Sequence, residues 1–245
     1  MKATERVRLC PVCGSTLAKR ATAAVKPADY PSVLRYYRCN GCGLLLLSPR
    51  FTDAYTKEYY AREYREDVNP LAIPDKLQHM TRSQTQMQLA GHLLTGKTML
   101  ELGCSSGYLL DEFKERGFKV TGVDPDKLIE VDKNTRWFAD IADVPAKRFD
   151  VIALSHTLEH FNNPLAILKT LVKRYAKKGT RFLIDVPNQP ECYPWGVYRQ
   201  HHPIAFDLHS MTYLMEAAGI MPIFDTAHAN GEARRDNLLV VGEVR

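Results

Sequence analysis

From Lys97 to the C-terminus, short apolar runs alternate with amphipathic stretches, and no other feature restricts the fold so strongly. Thr98–Leu102, Lys119–Val123, residues 149–154 and residues 181–186 each read as a strand, with a shorter one near Trp137 and Phe138. Between them, residues 107–117 put Leu109, Leu110 and Phe113 on one side, and Pro164–Tyr175 does the same with Leu165, Ile167, Leu168 and Leu171. Residues 126–132 are expected to form another helix. Continuous apolar strands separated by helices mean a parallel sheet covered on both faces, so the class is α/β. The tail breaks the pattern. Residues 221–224 and 238–241 flank a polar turn at Asn230-Gly231, which predicts a closing hairpin and an antiparallel last strand.

The first fifty residues are of a different kind. Cys10-Pro11-Val12-Cys13-Gly14 and Cys39-Asn40-Gly41-Cys42-Gly43 are two C-x-x-C-G knuckles, with 25 residues between Cys13 and Cys39. Two thiolates at i and i+3 on a tight turn point at one ion, and the glycine that follows lets the chain reverse. Two such turns make a tetrahedral site, so Cys10, Cys13, Cys39 and Cys42 are read as ligands of a structural zinc ion, with no coordination position left for catalysis. The sequence 33–38 reads as a strand running into the second knuckle, as in a zinc ribbon. These fifty residues hold nine Lys and Arg against Glu5 and Asp29, whereas the rest of the chain has 24 basic and 26 acidic side chains. A +7 segment joined to a −2 segment argues for separate units: a ribbon over 1–50, a Tyr-rich and helical linker region over 51–95, and a larger domain over 96–245.

In that linker region, Tyr55, Tyr59, Tyr60 and Tyr64 recur at helical spacing and read as a packing stripe. Asn69-Pro70 and Ile73-Pro74 read as breaks, and 75–94 as a helix burying Leu77, Met80, Met87, Leu89 and Leu93. The longest apolar run, residues 44–47, is far too short to span a bilayer. The N-terminus has no apolar stretch behind its charges, so the expected location is the cytoplasm, where thiols stay reduced.

The chemistry sits where the first strand of the larger domain ends. Glu101-Leu102-Gly103-Cys104-Ser105-Ser106-Gly107 is a glycine-bounded loop, which lets backbone approach a ligand at the carboxyl edge of a sheet. About twenty residues on, Val123-Asp124-Pro125 ends the second strand with an acid placed for a ribose diol. The dinucleotide fingerprint G-x-G-x-x-G is not matched, which counts against a nicotinamide or flavin cofactor.

These residues resemble the class I S-adenosylmethionine-dependent methyltransferases, a Rossmann-like family, over roughly residues 96–245. The resemblance implies that Glu101, Gly103, Cys104 and Gly107 wrap the amino acid end of S-adenosylmethionine and that Asp124, followed by Pro125, binds the ribose. It implies that Asp140 meets the adenine amine with Ile141 beside the ring, and that Ser155 and His156 close over the methyl donor. Ser105 stands where many members have glycine. The ribbon, with Ser48-Pro49-Arg50 ahead of the Tyr-rich helix, is similar to ribbon-bearing methyltransferases, many of which act on sugars. The resemblance therefore implies a small or glycan-linked acceptor, anionic in character, most simply a sugar or nucleotide-sugar hydroxyl in carbohydrate biosynthesis.

Removing a hydroxyl proton calls for a base, and histidine is suited to it near neutral pH. His156 and His160 lie after the fourth strand, either facing the acceptor or shaping the loop. Tyr198-Arg199-Gln200-His201-His202 resembles the Tyr/His segment that supplies acid–base residues in deoxysugar methyltransferases, in either of two registers. The candidates are thus His202, His201, His160 and Tyr198. Glu159-His160 is similar in part to the metal-binding Glu-x-x-Glu-His of small-RNA terminal methyltransferases, but His156 stands where that pattern has an acid. Cys104 and Cys192 lack the Pro-Cys context of a thiol nucleophile. Two other functions stay open at this point: an RNA methyltransferase whose basic ribbon grips phosphate, and a non-catalytic docking module.

Overall fold

The computed structural model describes residues 4–26, 33–62, 73–127, 129, 132–188, 201–227 and 237–245. Thirteen strands can be named among them in chain order: β1 Thr4–Glu5, β2 Ala23–Val25, β3 Leu34–Arg38, β4 Leu45–Leu47, β5 Arg50–Phe51, β6 Thr98–Leu102, β7 Lys119–Val123, β8 Thr135–Phe138, β9 Val151–Ser155, β10 Arg181–Pro187, β11 Ile204–Ala205, β12 Ile220–Asp225 and β13 Asn237–Val244. The helices are α1 Asp53–Arg62, α2 Ile73–Ala90, α3 Tyr108–Glu115, α4 Pro164–Tyr175 and α5 Leu208–Ala217.

Seven strands form the main sheet in the order β12-β13-β10-β9-β6-β7-β8. The pairs from β10 to β8 are parallel, and β13 runs antiparallel to both of its neighbours. The expected α/β, mostly parallel sheet with an antiparallel last strand is therefore the one observed. Adjacent residues on each central strand enter opposite cores, as a two-residue period requires. Met99, Val151, Leu183 and Leu239 pack with Met87, Leu109 and Phe113 of α2 and α3. Leu100, Ile152, Ile184 and Val240 pack with Leu168, Leu171, Met211 and Leu214 of α4 and α5. Each such side chain, removed from water, contributes about 1.5–3 kcal/mol.

Helix starts follow their local chemistry. Asn163 accepts the Ala166 N–H ahead of α4, with Pro164 in the first turn. Asp207 and Ser210 form a reciprocal capping box ahead of α5. Two expectations differ. The described residues of the 126–132 stretch are bends and coil, not helix. Leu77, expected to be buried, is 58% exposed, while α2 begins at Ile73 with Pro74 in its first turn, where a missing N–H costs nothing. Asn69-Pro70, Tyr64 and Asn230-Gly231 lie outside the described residues.

The N-terminal segment is tied closely to the large sheet. Strands β2, β3 and β4 form a second sheet whose fourth strand, β11, comes from residue 204, in the order β11-β4-β3-β2. The four-leucine run explains this. Leu45 and Leu47 face Ala23, Leu34, Tyr36 and Ala205, whereas Leu44 and Leu46 join the core of the main sheet. The Tyr36 hydroxyl donates to the His202 carbonyl at 2.7 Å, and the Leu47 N–H donates to the Pro203 carbonyl at 2.9 Å. Arg38 pairs with Asp207 at 3.3 Å, and Arg50 donates to the Asn162 carbonyl at 2.8 Å. Among the described residues no helix is long and apolar enough to cross a membrane.

Candidate active site

The carboxyl edge of the parallel strands gathers the residues singled out for a cofactor. Gly103 takes a left-handed φ of +78° and donates its N–H to the Val123 carbonyl at 2.7 Å. A Cβ there would lie 2.3 Å from Thr157 Oγ1, so only glycine fits. Ser105 also has a positive φ, +44°, and its N–H donates to Asp124 Oδ2 at 2.9 Å. The other Asp124 oxygen accepts the Asp126 N–H at 3.1 Å, which holds the carboxylate in place at the end of β7. Pro125 beside it is exposed. The Cys104 side chain instead packs inward near Gly122, and burial, with the charges of Glu101 and Asp124, pushes its thiol up.

Glu101 is 3% exposed, and burial, reinforced by the Asp124 and Asp111 charges, pushes its carboxyl well above the usual range. Among the described residues Glu101 Oε2 and Ser106 Oγ have no hydrogen-bond partner. Leaving two polar groups of one loop unsatisfied costs a few kcal/mol. A ligand with polar donors at this loop offsets that cost, so the residues fit the amino acid end of S-adenosylmethionine. Asp140 accepts the Ala142 N–H at 2.9 Å and so starts the short turn Ile141–Asp143, which the Tyr175 hydroxyl fastens at the Ile141 carbonyl, 2.6 Å away.

Past β9, His156 takes a φ of +49° while its N–H donates to the Asp185 carbonyl at 2.7 Å. Gln86 of α2 donates to Ser155 Oγ at 2.7 Å and to Asp185 Oδ2 at 2.6 Å, joining three elements beside the loop. Neither Gln86 nor Asp185 stood out in the sequence. An acid inside the apolar run 181–186 was the available signal for Asp185.

Next to this edge lies a pocket of aromatic and imidazole rings. His160 Nδ1 is 2.6 Å from the Tyr60 hydroxyl and 3.0 Å from the His201 carbonyl. The His160 and His202 rings meet edge to face at 4.8 Å, and Tyr59 stacks on His201 at 5.7 Å. His202 is buried, and its backbone is the group held by Tyr36. The structure thus brings His160, His201 and His202 together, while Tyr198 and Cys192 lie outside the described residues. Of the tyrosine stripe read as packing, Tyr59 and Tyr60 meet these histidines, whereas Tyr55 packs on Phe51. Under the pocket Glu159 is 2% exposed, with Oε1 3.7 Å from His156 Nδ1 and 3.9 Å from His160 Nε2. Burial pushes its carboxyl up to about 8.

The four ribbon cysteines also converge. Cys10 and Cys42 sulfurs are 3.6 Å apart and Cys13 and Cys39 sulfurs 3.3 Å apart, all four within 4.8 Å of one another. The Val12 and Gly41 N–H groups point at the Cys10 and Cys39 sulfurs at 3.4 Å. The hydrogen bond with Cys42 lowers the Cys10 thiol to about 5, while the same contact pushes the Cys42 thiol up and burial raises Cys39.

The chain is similar to known methyltransferases. Ubiquinone biosynthesis O-methyltransferase of Pseudomonas paraeruginosa is 26% identical over 117 residues, 42% of this chain and 50% of that protein. The enzyme of the same name from Nitrosococcus oceani is 26% identical over 144 residues, 54% of this chain and 56% of that protein. The chain spans about half the length of the curated relatives it matches. In fold it is similar to the crystal structure of Burkholderia thailandensis 1,6-didemethyltoxoflavin-N1-methyltransferase with bound S-adenosylhomocysteine. That likeness has a TM-score of 0.67 at 16% identity and covers 91% of this chain and 99% of the other. A family model described as a methyltransferase domain matches residues 60–236, and the chain belongs to that methyltransferase family.

Proposed function

We propose that the chain transfers the methyl group of S-adenosylmethionine to a hydroxyl oxygen of a small-molecule acceptor. The observation that carries this is the His160, His201 and His202 cluster beside the Ser155–His156 edge, which sets imidazoles where a hydroxyl acceptor would shed its proton. Glu101, Gly103, Cys104 and Gly107 hold the amino acid end of the donor, the Cys104 contact being through its backbone. Asp124 and the backbone at Pro125 hold the ribose, and Asp140 and Ile141 the adenine. Ser155 and His156 border the sulfonium. The acceptor oxygen attacks the methyl carbon in line, the carbon–sulfur bond breaks, and its electron pair stays on sulfur. Alignment supplies much of the rate, and handling of the hydroxyl proton by the imidazole–carboxylate pocket adds about 10²–10⁴-fold. Tyr198 is kept as a further acid–base candidate by the resemblance of its segment to that of deoxysugar methyltransferases.

Within that class we favour a sugar or nucleotide-linked sugar. The surplus charge of the ribbon suits a diphosphate, and the Tyr59, Tyr60 and histidine rings suit a sugar face. The O-methyltransferases among the relatives support oxygen as the acceptor atom. The four-cysteine cluster is read as structural zinc, because the sulfurs already stand at tetrahedral-site separations. An RNA acceptor is less well supported, since Arg38 and Arg50 are engaged with Asp207 and Glu5 within the protein.

Calorimetry with S-adenosylmethionine tests the donor. No heat at millimolar ligand would sink the enzyme reading. A panel of nucleotide sugars, phenols and generic RNA then tests the acceptor, and a methylated RNA product alone would overturn the small-molecule reading.

A further inference from the structure

We infer that Glu159, His160 and His202 form a binding site for one divalent transition-metal ion, separate from the ribbon cysteines. One carboxylate oxygen and two imidazole nitrogens of these residues lie within 4.8 Å of one another. An ion about 2.1 Å from each ligand sits between atoms up to about 4.2 Å apart. The 3.9 Å from Glu159 Oε1 to His160 Nε2 is inside that span, so closure on an ion needs about half an ångström of side-chain movement.

Two independent observations point to a ligand here. The first is Glu159 itself, 2% exposed, both of whose oxygens have no hydrogen-bond partner among the described residues. The imidazoles at 3.7 and 3.9 Å are beyond hydrogen-bond reach. The carboxyl's own backbone N–H and the charge of Arg82 offset its burial only in part, and a cation would satisfy both oxygens. The second is the orientation of His160. Its Nδ1 is engaged by the His201 carbonyl and the Tyr60 hydroxyl, so a proton on Nδ1 donates to the carbonyl and leaves the Nε2 lone pair facing Glu159. An imidazole held by its outer nitrogen on a backbone carbonyl is the arrangement that metal-ligating histidines adopt.

Two imidazoles and one carboxylate favour manganese, cobalt, nickel or zinc over calcium or magnesium, which prefer oxygen ligands only. Three protein ligands leave positions open, and the inference deepens the hydroxyl-methylation reading by what would fill them. The acceptor hydroxyl oxygen binds the ion, and its proton passes by way of His201, the imidazole that is not a ligand, to solvent water. The oxygen then takes the methyl carbon while the sulfur keeps the bonding pair. His160 and His202 serve as ligands in that state.

The test uses the full chain with its ribbon loaded with one zinc per molecule, titrated with Mn²⁺, which competes poorly for thiolates. The free Mn²⁺ signal is followed by electron paramagnetic resonance. One Mn²⁺ per chain is expected, weakened at least tenfold in Glu159→Gln and in His202→Ala and unchanged in His92→Ala, an exposed histidine elsewhere. Hyperfine coupling to imidazole nitrogen in the unmutated protein is expected as well, and it is readable even where a variant fails to fold. No Mn²⁺ bound at millimolar concentration, or binding without nitrogen coupling, overturns the site, as does equal binding in both folded variants. Bound Mn²⁺ with no methylated hydroxyl product counts against the methylation reading and leaves the metal site standing.

Discussion

The cofactor edge is built from one unbroken stretch, residues 101–107, with Asp124 closing it from the next strand. The proposed acceptor pocket is gathered from three distant places: Tyr59 and Tyr60 on α1, Glu159 and His160 after β9, and His201 and His202 before β11. The loop is held by backbone conformation, as in Gly103 at φ +78°, so its specification is local. The pocket is held by contacts across the chain, including the 2.7 Å bond from Tyr36 in the ribbon to the His202 carbonyl. A glycine loop can be assembled wherever a parallel strand ends; the pocket exists only if the ribbon, α1 and the sheet all dock.

That contrast yields graded ways to break it. The largest effect is expected from Cys39→Ser. Loss of the cluster should cost several kcal/mol of stability, because the ribbon shares a core with the main sheet. Metal analysis should show less than one zinc per chain, and turnover should fall at least ~100-fold. A Cys39→Ser protein with normal turnover would mean that the ribbon is an independent appendage.

His201→Ala and Gly103→Ala form the next pair and should separate the two halves. His201→Ala should lower kcat by ~10²-fold or more while calorimetric S-adenosylmethionine affinity changes by less than about threefold. Gly103→Ala should do the reverse at the binding step, weakening that affinity by ~10–100-fold through strain and the Thr157 clash. Similar profiles for both would erase the distinction.

How much of this was legible follows the same divide. Strand periodicity and the loop glycines marked β6, β7, β9 and β10 and the cofactor edge, because their causes are local. The knuckles marked the cysteine cluster for the same reason. Residues 126–132 were expected to form a helix, but their described residues are bends and coil, with Ile129 packed against the core beside Gly107 and Gly122. Leu77 sat at a helical period yet faces outward, since a period says nothing of whether a neighbour covers the face. The fourth ribbon strand, β11, was invisible: Ile204 and Ala205 acquire a partner only because Leu45 and Leu46 are adjacent in space. Gln86 was likewise unreadable as a site residue, lying 69 positions from the Ser155 it touches.

A pH series sharpens the cofactor half. With its carboxyl pushed up in the folded protein, Glu101 binds a proton that the unfolded chain releases above about pH 4.5. Folded protein therefore loses stability as pH rises above that value, by up to ~1.4 kcal/mol per pH unit. Glu101→Gln should flatten this slope in ligand-free thermal melts, and an unchanged slope would assign it to other groups. The smallest effect is expected at the link between the halves. Tyr36→Phe removes one buried hydrogen bond, which should cost ~1 kcal/mol and a few-fold in kcat with no change in S-adenosylmethionine affinity. A thermal melt and a calorimetric titration check both parts.

The central claim is methyl transfer to a hydroxyl oxygen at the histidine pocket. Its most direct test is incubation with S-adenosylmethionine carrying an isotope-labelled methyl group and the acceptor panel, followed by nuclear magnetic resonance of the product. The account predicts a labelled methyl on oxygen, with its yield cut at least ~100-fold by His160→Ala. A label on nitrogen or carbon, or on oxygen at an undiminished rate in that variant, would contradict it.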